Sequence, residues 1–442
     1  MKRLLVSFLV AGLAIQQVDS TVMEAVAVAL SIFAFLTFIH HISKRIVLLE
    51  CIGFIATLEI LLVPAVTYWV FPASMPLEST TYFSYALPVT GAFLAGLLGL
   101  NNRTEPSHQP YLQAAQAYLQ DKHIAGIVLL IIGLTGFMVK ILVPDIPSIA
   151  GTVPAYCLFI SAFYAYFSRS RYRIAMLGAV VGALLIYTVR AGMFGDLFFW
   201  LMLMALFGAV GKSTPLTGRT KIVFVISAFA FLLLIQSVKG EYRYNTWGYR
   251  RGERSGNASL LADLVNDRLA NPEKLLNADH LFLSFVRFNQ GIIIGSAMAK
   301  VPMHEDFAKG KVLLSFVYPL VPRFIWPDKP QTGGYENIRR FTSLPQSENT
   351  SINLSPLGEG YVNFGYGGIL FAWLYGSILG GFFRCVLTVS AHRPSIILWL
   401  PMLYIGCLTM ETDVLSTWGS LVNNTLFMSL LFWVTKRLGI QL

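Results

Sequence analysis

Residues 124–143 read IAGIVLLIIGLTGFMVKILV, twenty residues with a single charge, Lys140. A helix crossing the hydrocarbon of a bilayer takes about 20 such residues. The stretch therefore predicts a membrane span, and ten further runs share its character: 22–40, 46–71, 82–100, 154–168, 174–190, 193–210, 221–238, 361–383, 395–412 and 420–436. Residues 4–18, after Lys2 and Arg3, form a shorter apolar stretch. It reads as a short first helix rather than a signal peptide, because no clean small-residue cleavage site precedes the next span. The expected fold class is an all-α polytopic membrane protein of about 12 transmembrane helices (11–12).

Composition agrees. Of 442 residues, 55% are hydrophobic and 13% charged, about half the charge of a soluble domain. That excludes a soluble enzyme and a disordered chain. Cys51, Cys157, Cys385 and Cys407 all lie in apolar runs without paired spacing, so neither a disulfide framework nor a zinc site is expected. The net charge of +10 would suggest nucleic acid in a soluble protein, but here its distribution decides. With the N-terminus inside, sixteen of the 33 cations fall in the short inward connections, among them Lys44, Arg45, Lys122, Arg171, Arg173, Arg219, Arg393, Lys436 and Arg437. The short outward turns near 19–21, 72–81, 144–153 and 413–419 hold none. The positive-inside rule then predicts N-in, C-in. It also divides the chain into an N-terminal bundle (1–238), a large outer loop (239–360) and a C-terminal bundle (361–442).

The outer loop holds 15 of the cations, amphipathic stretches at 259–270 and 281–300, and an apolar run at 312–326. Short amphipathic helices are expected in it, the second resting at the membrane surface. Membrane-edge charges usually have a partner or a task. Arg190, in YTVRAGMFGD, is expected either to pair with Asp196 or to face an outward cavity and hold a phosphate, for which a bidentate guanidinium is suited. Glu24 and Glu50 are expected to face headgroups. Glu59 lies deeper but without an evident relay, and His40 and His41 are expected to be a solvated pair. In the loop, Arg287-Phe288-Asn289-Gln290 opens an apolar helix. In Pro322-Arg323-Phe324-Ile325-Trp326-Pro327-Asp328-Lys329-Pro330 the prolines stiffen a path bearing two cations around a ring, a set suited to a sugar pyrophosphate or simply to a solvated turn. Glu359, Tyr361 and Asn363, in GEGYVNFGYGG (358–368), open a long apolar span. The glycines there suit close helix packing, and a carboxylate at a membrane edge suits a general base.

These three motifs, in this order, resemble bacterial O-antigen polymerases, the Wzy-type oligosaccharide repeat-unit polymerases. By motif the similarity covers roughly residues 280–385. The resemblance implies a GT-C-like glycosyltransferase of the bacterial inner membrane. Its large loop would be periplasmic and its donor an undecaprenyl-pyrophosphate-linked oligosaccharide, used to build O-antigen of lipopolysaccharide or an exopolysaccharide. The acceptor is a second lipid-linked repeat unit, and a chain-length regulator and a flippase are expected partners; nucleic acid is not. No cofactor is expected, and no metal. On this reading Arg190, Arg287, Arg323 and Lys329 hold the pyrophosphate, and Glu359 takes the acceptor hydroxyl's proton. Asn289, Trp326, Tyr361 and Asn363 bind substrate sugar. Asp328, His280 and His304 are alternative bases. A lipid-linked glycan ligase and a non-enzymatic flippase or transporter are the competing expectations.

Overall fold

The computed structural model describes residues 20–99, 107–143, 146–168, 171–192, 194–211, 216–246, 256–276, 286–321, 325–326, 334–345 and 352–442, together with Ser7 and Gly12. Every regular element among them is helical. In chain order the α-helices that matter here are α1 (Val22–His41), α2 (Leu48–Val70, with one π-helical turn at Leu58–Leu62), α3 (Ser79–Leu98), α4 (Gln109–Leu119), α5 (His123–Leu142), α6 (Thr152–Phe167), α7 (Arg173–Ala191), α8 (Phe194–Val210), α9 (Gly218–Thr246), α10 (Ala258–Ala270), α11 (Gln290–Lys300), α12 (Tyr335–Phe341), α13 (Ser355–Phe364), α14 (Gly368–His392) and α15 (Val414–Arg437). Among the described residues, seven helical stretches are long and apolar enough to cross a membrane: α1, α2, α3, α5, α7, α9 and the run Ser355–His392. Shorter apolar helices occupy Thr152–Phe167, Phe194–Val210, Lys311–Leu320 and Pro394–Cys407. The chain is an all-helical membrane protein.

Local chemistry sets the helix boundaries. Thr21 and Glu24 form a reciprocal capping box at the start of α1, each side chain accepting from the other's backbone N–H at 3.3 Å. The Glu24 carboxylate also accepts from the Trp69 indole at 2.6 Å and from the Ser79 hydroxyl. Instead of facing headgroups it is buried and clamps α1, α2 and α3 together. Glu50 likewise meets a partner, with one oxygen 2.9 Å from His41 Nδ1; the expected solvated histidine pair is half committed to an ion-pair geometry.

The helices pack closely where side chains are absent. A Cβ at Gly376 would lie 2.8 Å from the Leu97 backbone nitrogen and against the Phe93 carbonyl, and one at Gly380 would meet Leu97. Gly376 and Gly380 are four apart, so α14 lays a small-xxx-small seam on α3. Gly136 of α5 sits the same way on Pro154 and Ala155. The main hydrophobic core takes in Ile294, Ala297, Ile338, Leu354 and Leu357 of the outer loop, and a separate cluster joins α8, α9 and α10.

Two expected elements take other forms. The run 395–412 is not one straight span but a broken segment: 3-10 turns at Pro394–Trp399 and Ile405–Cys407 flank a short α-turn at Leu400–Tyr404. Pro394 and Pro401 lack amide donors for a continuous ladder, and residues 408–413 leave the helix altogether. The stretch expected to rest on the membrane surface packs against the bundle over α11, where Gln290, Gly291, Ile294, Gly295, Ala297 and Met298 are buried. Gly291 allows this, because a Cβ there would come within 2.7 Å of Pro64. By contrast α10 covers 259–270 almost as expected, packing Leu264 against Phe194, Val238 and Tyr242.

The polar connections gather at opposite ends of the bundle. At one end Ser107 donates to the Lys44 carbonyl, the Ile46 N–H donates to His108 Nδ1, and Tyr118 and Ser395 both donate to the Leu442 carbonyl. At the other, Tyr68 donates to the Leu77 carbonyl, Asn289 to Thr67 Oγ1 and Trp418 to the Phe316 carbonyl.

Candidate functional site

The unwound residues 408–413, LTMETD, organise the second end. The Met410 N–H donates to Glu59 Oε2 at 2.9 Å, and Glu59 stands in the π-helical turn of α2, buried at 1% exposure. Such single turns recur at functional sites because they rotate a side chain out of the ordinary helical register. The Glu411 carbonyl accepts from Asn353 Nδ2 at 3.1 Å. Its carboxylate neighbours Glu59, and the cations acting on it are Arg287 and Lys239. Lys239 is itself buried and adjoins Arg243 as well as Arg287. Asp413 closes the segment as the N-cap of α15, accepting from the Ser416 N–H at 2.6 Å.

Glu359 faces the same segment from α13. Its Oε2 accepts from the Val414 N–H at 2.8 Å, its Oε1 from Asn337 Nδ2 at 3.3 Å, and Asp413 sets a second negative charge beside it. The local sequence explains its placement: Ser355 Oγ braces the first turn of α13 by accepting from the Gly358 N–H, and Tyr85 of α3 donates to the Leu357 carbonyl. Glu359 is 4% exposed, and each oxygen has a second lone pair for a further donor.

The remaining sequence-derived residues divide three ways. Arg323 and Lys329 lie outside the described residues, as do the alternative bases Asp328 and His280; His304 sits in an exposed turn after α11. Arg190 is exposed at the end of α7. It makes no ion pair with Asp196, whose electrostatic partner is Lys140 of α5. The reason lies in the turn: Tyr242 donates to the Val189 carbonyl and Arg243 to the Gly192 carbonyl, so α9 clasps the end of α7. Trp326 is exposed and meets Tyr318 edge to face with ring centroids 5.3 Å apart. Asn289, Tyr361 and Asn363 are buried in the scaffold. Asn289 caps α11 and donates to Thr67; Tyr361 donates to the Val301 carbonyl and packs edge-on against Tyr85; Asn363 accepts from the Val312 N–H and donates to the Glu359 carbonyl. Arg287 is thus brought to Glu411, and Glu359 to Asp413. Glu411, Asp413, Lys239, Asn337 and Asn353 are additions that the motifs did not single out.

With this geometry in place, comparison with known proteins gives one match. Residues 92–382, well over half the chain, match the family described as a domain of unknown function (DUF8712). The chain belongs to that family. The DUF8712 region takes in Arg190, Lys239, Arg287 and Glu359, while Glu59 and residues 408–413 lie beyond its limits. No curated protein and no solved structure matches the chain.

Among the described residues no group of three or more His, Cys, Asp or Glu is arranged to hold a metal ion. What the DUF8712 site brings together is two chemistries on one unwound segment: paired carboxylates at Glu359 and Asp413, and cations at Lys239 and Arg287 beside Glu411.

Proposed function

We propose that this DUF8712 protein is an inner-membrane glycosyltransferase that polymerises lipid-pyrophosphate-linked oligosaccharide repeat units. The full proposal includes about twelve spans, a GT-C-like arrangement, both termini in the cytoplasm and residues 239–360 in the periplasm. The observation that carries it is the 408–413 segment, where a carboxylate set and a cation set meet at the end of the bundle opposite its densest short-loop cations. In the proposed step the acceptor hydroxyl oxygen attacks the anomeric carbon of the donor. The bond from that carbon to the pyrophosphate oxygen breaks, and the hydroxyl proton passes to Glu359. Arg287, with Lys239 and Arg243 behind it, stabilises the negative charge growing on the leaving lipid pyrophosphate. The Tyr318–Trp326 ring pair offers an exposed apolar face for sugar. Asn289, Tyr361 and Asn363 are positioning residues. Single displacement inverts the anomeric centre.

The test is a gel of lipid-linked glycan from cells lacking the protein. Accumulation of single-repeat glycan is expected, whereas unligated long polymer would indicate a ligase instead. Glu359→Gln should lower polymer formation by about 10²–10⁴-fold, the worth of a general base, while protein still accumulates in the membrane. Full activity would remove Glu359 from that role.

A second reading has one observation of its own. A broken helix whose unwound backbone meets a buried intramembrane carboxylate, as Met410 meets Glu59, is the form taken by substrate sites in transporters. Repeat units trapped in the cytoplasm of the deletion strain would favour it.

A further inference from the structure

At the cation-rich end of the bundle, far from the 408–413 segment, a cavity of about 330 Å³ opens between α6, α7, α8 and α9. Its walls include Phe163 of α6, Leu177 of α7 and Phe224 of α9, and its floor is formed by Gly208 and Ala209 of α8. The floor is open because the residues are small: a Cβ on Gly208 would meet nothing within 4 Å. Apart from the hydroxyls of Tyr166 and Thr220 and the Met204 thioether, the lining side chains are hydrocarbon. An unfilled apolar groove of this kind in a membrane protein takes a chain from the bilayer.

Charge identifies which lipid. Exposed cations adjoin the lining residues along the chain: Lys44 two residues beyond the lining Ile42, Arg173 one turn before Leu177, and Arg219 beside Thr220. Nearby Lys221 is turned inward, donating to the Ile39 and His40 carbonyls. The one acid near Lys44 among the described residues, Glu50, is engaged with His41 at 2.9 Å. Between residues 151 and 240 Asp196 is the only Asp or Glu, and it stands in the first turn of α8, whereas the groove is lined from the last two turns of that helix. A basic pocket between membrane helices is a recurrent arrangement for anionic headgroups.

We propose that this groove is a binding site for one anionic diacyl phospholipid, an acyl chain lying over Gly208 and the headgroup phosphate held by Arg173, Arg219 and Lys44. The lipid would then complete the packing between α6 and α9.

The experiment uses the full chain in detergent, titrated with dioleoyl phosphatidylglycerol or dioleoyl phosphatidylcholine and weighed intact by native mass spectrometry. One phosphatidylglycerol per chain is expected to survive, with at least tenfold preference over phosphatidylcholine. Gly208→Trp, whose Cβ meets nothing within 4 Å, places an indole over the floor and should abolish retention while the helical circular dichroism is unchanged. Arg173→Gln with Arg219→Gln should leave the groove intact and weaken retention by about fivefold per cation; it decides the matter if the tryptophan variant does not fold. Equal retention of the two lipids, retention of a polyprenyl phosphate in preference to either, or undiminished binding by both variants would overturn the proposal.

Discussion

Replacing Gly376 by alanine adds one methyl group at the seam between α14 and α3. That carbon would sit 2.8 Å from the Leu97 nitrogen and against the Phe93 carbonyl, where ordinary contact begins at 3.4 Å. Neither obstacle is a flexible side chain, so two helix backbones must part by more than half an ångström. Overpacking of this sort costs about 1–3 kcal/mol. Gly381, five residues on, supplies the control, since a Cβ there meets nothing within 4 Å. Gly381→Ala should stabilise by about 0.5–1 kcal/mol through helix propensity alone. The chain contains its own reporters: Cys51, Cys157 and Cys407 are buried free thiols, and only Cys385 is exposed. In a Cys385→Ser background, heating with a thiol-reactive fluorophore should label the buried cysteines at lower temperature in Gly376→Ala than in the parent, and at equal or higher temperature in Gly381→Ala. The displacement should also reach the site, because Tyr85 on α3 holds the Leu357 carbonyl two residues before Glu359. Coincident melting of the two alanine variants would refute the claim that backbone contact at the glycine seam holds these helices together.

Two further outcomes follow from buried polar groups. Burial holds His108 down at about 4, against an ordinary 6.5, so between those values the unfolded chain takes up a proton that the folded chain refuses. Stability is therefore lost as pH falls from about 6.5 to 4, at about 1.4 kcal/mol per pH unit. His108→Gln, which can still accept from the Ile46 N–H, should flatten that part of a melting-versus-pH curve; unchanged slopes would contradict the assignment. Asn289→Ala removes both the cap of α11 and the donor to Thr67, and should cost about 1–3 kcal/mol. The same thiol-labelling melt measures it, and a shift no larger than that of an exposed substitution such as Asn245→Ala would count against Asn289 as a clamp between α11 and α2.

Much of the fold is legible in the sequence because bilayer crossing imposes a length and a composition on each helix separately. The runs at 22–40, 124–143 and 174–190 correspond closely to α1, α5 and α7. The 258–270 helix is legible too, its amphipathic period showing through. What escapes is whatever depends on a partner distant in sequence. Glu24 reads as a headgroup-facing residue until Trp69 and Ser79 arrive from two other helices. The small residues of α11 permit close packing, but nothing local says that Pro64 will receive them. The 408–413 segment carries a local signal: Glu411 and Asp413 are two acids at the edge of an apolar run, each costly there. Weighing the outer turns by their cations alone hides them. Glu59 shows the same effect, an isolated carboxylate in the sequence and a neighbour of Glu411 in three dimensions.

The π-helical turn at Leu58–Leu62 has a consequence for phase. One residue more than an α-turn requires sets the two halves of α2 about 100° apart in azimuth relative to an uninterrupted helix. Upstream lies Glu50, which meets His41 of α1; downstream lie Thr67, which meets Asn289, and Trp69, which meets Glu24. Deleting a single residue from this turn would keep the composition, the length class and every apolar run of the chain. The turn would close to an ordinary α-turn and both sets of contacts would keep their azimuth, whereas the same deletion elsewhere in α2 would rotate one half by about 100°; tolerance to a single-residue deletion should therefore peak at this point in a helix that otherwise reads as uniform.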